Sequence, residues 1–257
     1  MIFSLAKSKL RAMDLTILDI LCFGWFLICW VGYAVFARLA AKKTNSLSSV
    51  LYSFRKEWVQ KLCTNGISEV DAELLSSLEK QVSFFASTSL LILVSLVTVV
   101  STVSNMFMNM SSLPFVTVVS VGVIQLKLLL LILIFTYAFF TFTWSIRQYG
   151  FCFILFGSSF HTVKYYKEAQ DYRAVTENRN PKAMAKVLDR AAHSYNYGLR
   201  AYYFALAALT WFINGYSFAF ACAMTVFVLY RREFKSSTLL ALVDSRIPVE
   251  PKPTTSE

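Results

Sequence analysis

Residues 82–104 read VSFFASTSLLILVSLVTVVSTVS, twenty-three positions without one charged side chain. As a helix this stretch rises about 35 Å, enough to cross the ~30 Å hydrocarbon layer of a bilayer. A water-facing helix would return charges to its outer face every three or four residues, and none come here. The pattern repeats outward: residues 15–37, 82–146 and 201–230 together hold only two charges, Asp19 and Lys127, and the other charges crowd into the segments between. With 56% hydrophobic residues and a mean hydropathy of +0.54, the 257-residue chain is neither disordered nor composed like an ordinary soluble domain. The expected fold class is all-α, an integral membrane protein with four transmembrane helices at about 15–37, 82–104, 117–146 and 201–230. Helical cytoplasmic loops extend these spans within one domain over residues 1–236, and a proline-rich, disordered tail fills 237–257.

The segments between the spans carry their own signals. Residues 46–62 place Leu47, Val50, Leu51, Phe54, Trp58, Val59 and Leu62 at helical spacing, which fits a helix in the headgroup plane or one packed on the rest of the protein. Asn65-Gly66 breaks the chain, and Ser68 with Asp71 three residues on starts a helix in water that runs into 82–104. Asn105 to Pro114 reads as a short uncharged turn. The run from Phe115 to Ile146 is longer than one upright crossing, and FCFILFG beyond Arg147 continues that helix or packs against the loops. Asn180-Pro181 divides the polar stretch 161–200 into two helices, the second flowing into span four. In span four, Asn214-Gly215 leaves two geometries, one kinked crossing or a re-entrant hairpin. Halves of 13 to 15 apolar residues favour the single crossing.

Charge sets the threading. The loops 38–81 and 147–200 hold 16 Lys and Arg, against eight in the two terminal segments. The positive-inside rule therefore puts both loops in the cytoplasm, with the termini and the 104–116 turn outside. Arg231, Arg232 and Lys235 fit poorly, and the hairpin would return them inside. The net charge of +10 is accounted for by loops facing anionic lipid, with no nucleic acid as partner. The N-terminal Lys7, Lys9 and Arg11 precede an apolar run too long for a signal peptide, which reads as a retained anchor.

Candidate site residues are few. Asp19 and Lys127 share a depth near the outer surface, so they are suited to pair with each other, to snorkel separately, or to serve a proton or ion relay. Arg147, Gln148, Arg200, Arg231 and Glu233 sit at span ends as interface anchors. Asn214 and Gln125 are polar groups inside apolar runs. His161 and His193 lack ligand spacing, the five cysteines form no CxxC pair, and no phosphate-binding loop or nucleophile elbow occurs. Neither a metal, a cofactor nor catalysis is therefore expected.

Four blocks in order, FFASTSLLI at 84–92, KLLLLILIFTYAFFTFTWSIRQ at 127–148, GLRAYYFALAALTWF at 198–212 and VLYRREFKS at 228–236, resemble the domain of unknown function 599 family of bacterial and plant membrane proteins. The resemblance covers about residues 15–236. It implies a multi-span helical membrane protein and supplies no activity to carry over. The expected role is that of a non-enzymatic, structural or partner-binding component, multi-pass in the cell inner (plasma) membrane. It would act through the bilayer and through a protein partner at loops 38–81 and 147–200, or as a homo-oligomer. The alternative is a small transporter or channel subunit working as an oligomer, its path lined by Asp19, Lys127, Gln125 and Asn214.

Overall fold

Long apolar runs without proline propagate as helix, and among the described residues no strand occurs. The computed structural model describes residues 17–40, 46–110, 121–168 and 181–245, with side chains outside the description at 104–110 and 158–168. Helix α1 spans Ile17–Ala40 with a π-turn at Ile28–Gly32. Helix α2 spans Leu47–Asn65, α3 Glu69–Met110 and α4 Val121–Glu168. Helix α5 spans Pro181–Leu209, α6 Gly215–Phe234 and α7 Ser237–Asp244.

Each start has a chemical cause. Ser46 caps α2 reciprocally with Ser49, the Ser46 hydroxyl accepting from the Ser49 N–H and the Ser46 N–H donating to the Ser49 hydroxyl. Ser68 and Asp71 exchange the same bonds at the head of α3. Pro181 opens α5, where its missing N–H is harmless. Gly66, at φ 83°, takes the left-handed turn that separates α2 from α3.

Pairwise contacts fix the packing. Phe85 stacks on Phe142 and meets Tyr195 and Tyr202, so α3 and α5 rise together while α4 descends between them. The Ser145 hydroxyl donates to the Ala191 carbonyl, and Phe135 meets Tyr202, an antiparallel α4–α5 register. Gly198 lies against the Phe142 ring, which would collide with any Cβ there. Helix α1 descends beside α6: the Trp25 indole donates to the Ala219 carbonyl, and Phe36 meets Tyr230 and Phe234. Phe26 joins Phe204 of α5 to Phe218 of α6. Five long helices thus alternate in direction. One end of the bundle carries Asp19, Lys127 and residues 210–214; the other carries α2, the starts of α3 and α5, and the end of α6.

Among the described residues three helices are long and apolar enough to cross a membrane, at Ile17–Ala40, Glu69–Val103 and Val121–Gly157. The expectation of four is corrected at 201–230, which is not one kinked crossing. The chain turns through a 3₁₀ turn at Thr210–Phe212, Asn214 is extended, and α6 runs back along α5. The apolar half-length misled, because α5 begins twenty residues earlier and spans about 44 Å, while α6 spans about 30 Å. The turn also leaves fewer bare backbone groups than expected. The Lys127 ammonium donates to the Trp211 carbonyl (3.0 Å), and the Cys22 thiol to the Gly215 carbonyl (3.3 Å). Consequently the described end of α6 lies at the opposite end of the bundle from the described start of α1, where a single crossing would have put both at one end.

Two smaller corrections follow, and between them one expectation that is met. The expected turn at 105–114 is helix as far as Met110, the rest lying outside the described residues. FCFILFG continues α4 without interruption, with Cys152 and Phe156 buried. The tail expected to be disordered from 237 is helical over Ser237–Asp244: Ser236 caps it and Leu239 is buried. Residues 246–257 lie outside the described ones. Outward faces carry Ile17, Leu21, Phe84, Leu91 and Ile154, each more than 60% exposed, a surface that suits hydrocarbon better than water.

Candidate functional site

Among the described residues, polar side chains gather in a group at each end of the bundle. At the turn between α5 and α6, Asp19 and Lys127 lie 3.8 Å apart, each side chain 13% exposed. Trp211 completes the cluster. Its indole donates to Asp19 Oδ1 (3.0 Å), its carbonyl accepts from Lys127, and its ring lies 5.2 Å from the ammonium. The same ring stacks on Phe218 at 4.8 Å. Asn214, one turn further, caps α6 by accepting from the Ser217 N–H. These groups satisfy one another, and the chemistry they perform is that of a latch on the helical turn.

The opposite end is built differently. The amphipathic α2 packs onto the protein, burying Val50, Val59, Leu62 and Cys63, the second of the two placements its periodicity allowed. The Trp58 indole donates to Asp71, and Arg55 pairs with Asp189 of α5 at 2.8 Å. His193, one turn after Asp189, lies 3.3 Å from its other oxygen. The Ser48 N–H and hydroxyl both donate to Glu233 Oε1, tying α2 to the end of α6. Between α1, α2, α5 and α6 these contacts border an open cavity of about 220 Å³, lined by Arg55, His193, Arg200, Tyr203, Arg232 and Glu233 among others. Arg200 lies over the Tyr33 and Tyr197 rings, and Arg232 donates to the Tyr203 hydroxyl.

Of the residues singled out from sequence, the structure joins Asp19 with Lys127 and brings Arg200 and Glu233 into this cavity. Gln148 is buried and accepts from Ser194 (3.2 Å), a bond between α4 and α5. Arg147, over the Phe151 ring, and Arg231 are exposed and stand apart from both groups. The side chain of His161 lies outside the described ones. Among the described residues no group of three His, Cys, Asp or Glu could hold a metal ion. Trp211, Tyr203, Arg55 and Ser48 were not anticipated. The signal for Trp211 was its place one turn before the Asn-Gly break; Arg55 and Ser48 are placed by contacts across more than 130 residues and Tyr203 by Arg232 across the α5–α6 turn, and no local pattern carries them.

A family model described as protein of unknown function, DUF599, matches residues 21–238. No curated protein and no solved structure matches the chain.

Proposed function

The chain belongs to the DUF599 family of proteins of unknown function, and on that footing we propose that it is a multi-pass protein of the cell inner membrane that works without catalysis, by binding at its basic end. In this reading α5 and α6 cross as fourth and fifth segments beside α1, α3 and α4. Every described Lys and Arg side chain except Lys127 then belongs to the cytoplasmic half, which accommodates Arg231, Arg232 and Lys235 as the positive-inside rule asks. The observation that carries the binding role is the contrast between the two polar groups. The latch around Trp211 is closed on itself, whereas the cavity at the other end is open and presents arginines.

A transporter or channel subunit remains the second reading. It would need Asp19, Lys127, Gln125 and Asn214 to line a path, and of these Asp19, Lys127 and Asn214 are engaged by Trp211, by each other or by the α6 cap, which favours the binding role. Three measurements test the proposal. Reporter fusions after Ser236 should be active in the cytoplasm and silent outside. Purification in mild detergent should yield a stoichiometric partner or ligand. Solute or ion flux in proteoliposomes, abolished by Asp19→Asn or Lys127→Met, would replace this reading with transport.

A further inference from the structure

An anionic glycerophospholipid has a phosphate that seeks guanidinium donors and acyl chains that seek an apolar groove at the same depth. The basic cavity has such a groove beside it. Tyr203 and Leu229 line the cavity and also a second space of about 360 Å³ between α5 and α6, lined further by Ala207, Ala221, Met224 and Val228. Alanines leave room where larger residues would close the seam. From Leu229 to Ala221 the groove runs about 12 Å along α6, away from the basic end and into the apolar layer.

The charge in the cavity is unevenly compensated. Arg55 is held by Asp189, and Glu233 accepts from Ser48. Arg232 donates only to a neutral hydroxyl and Arg200 rests on tyrosine rings, and among the described residues neither has a carboxylate within ion-pair distance. Two guanidinium groups beyond ion-pair distance of any described carboxylate, sharing the cavity with the single unpaired carboxylate of Glu233, leave an excess of positive charge at the mouth of a groove that leads into the apolar layer, which suits a ligand with one anionic and one apolar part. We propose that the cavity and groove form one site for an anionic phospholipid, its phosphate against Arg200 and Arg232 and one acyl chain between α5 and α6. The inference rests on the cytoplasmic placement of the basic end, where such lipids are concentrated. A protein partner would have to enter the groove from within the hydrocarbon layer, which favours lipid.

The test uses the full chain purified in mild detergent, with bound lipid counted by native mass spectrometry as phosphatidylglycerol or phosphatidylcholine of equal chain length is added. Phosphatidylglycerol should bind at least about tenfold more tightly. Arg200→Gln and Arg232→Gln should each weaken it at least about fivefold, and Ala221→Phe, which fills the groove and keeps the charges, should weaken both lipids. If an arginine variant fails to fold, Ala221→Phe and the lipid comparison still decide. Equal affinity for the two lipids, wild-type affinity in the variants, or full displacement by equimolar glycerol 1-phosphate would overturn the site. The Ser236 reporter fusion separates the two layers: a cytoplasm-silent result with lipid selectivity intact would reverse the threading and leave the site standing.

Discussion

Removing Lys127 should destabilise the protein more than removing Lys127 and Asp19 together. In Lys127→Met two losses coincide: Asp19 keeps its negative charge and loses the ammonium beside it, and the Trp211 carbonyl loses its donor. Breaking a largely buried pair by deleting one member costs about 3–5 kcal/mol, of which an orphaned carbonyl accounts for about 1–3. Asp19→Asn is milder. The amide oxygen still accepts from the indole and Lys127 keeps both the carbonyl and the ring, so about 1–3 kcal/mol is expected. The double variant leaves no charge behind, only the orphaned carbonyl, again about 1–3 kcal/mol. The interaction energy across the cycle should therefore be at least about 1 kcal/mol, favouring the double variant over the sum of singles. Unfolding in mixed detergent micelles, followed by tryptophan fluorescence, measures all four proteins. Additivity within about 0.5 kcal/mol would refute the latch, because independent side chains add.

Gly198→Ala should lower the melting temperature by the cost of overpacking, about 1–3 kcal/mol, and Phe142→Leu should restore part of it by clearing the ring that the new methyl meets. Ser46→Ala, which removes one half of a reciprocal cap, should cost about 1 kcal/mol and fray the start of α2, visible as faster amide exchange at residues 47–50. All five thiols, Cys22, Cys29, Cys63, Cys152 and Cys222, are buried, so the folded protein should resist maleimide and the denatured protein should take five equivalents. Labelling of the folded wild type at any of them would contradict the packing described.

Composition carried the all-helical class and three of the four expected spans because blocks without charge are visible residue by residue, as at 82–104. Depth arithmetic brought Asp19 to Lys127 because both are counted from helix ends along rigid rods. The same arithmetic failed at 201–230, since the apolar run was taken for the helix. Polar residues 181–200 extend α5 without changing its backbone, and the donors that cover the turn, Lys127 and Cys22, come from other helices. Ser237–Asp244 was overlooked because the prolines that follow coloured the whole tail. The basic cavity was legible only as scattered arginines. What gathers them is Ser48 reaching Glu233 across 185 residues, a tertiary fact without a local signature.

The latch at Trp211 has a consequence for biosynthesis. Trp211 follows Asp19 by 192 residues and Lys127 by 84. At ribosomal speeds of about 5–20 residues per second, Lys127 therefore emerges roughly 4–17 s before the carbonyl it will bind. During that interval Asp19 is its available counter-charge, so in the proposed threading α1 escorts α4 into the bilayer and the α5–α6 hairpin closes over the pair last. A chain stalled before residue 211 should then hold α1 and α4 together with Lys127 still open to solvent.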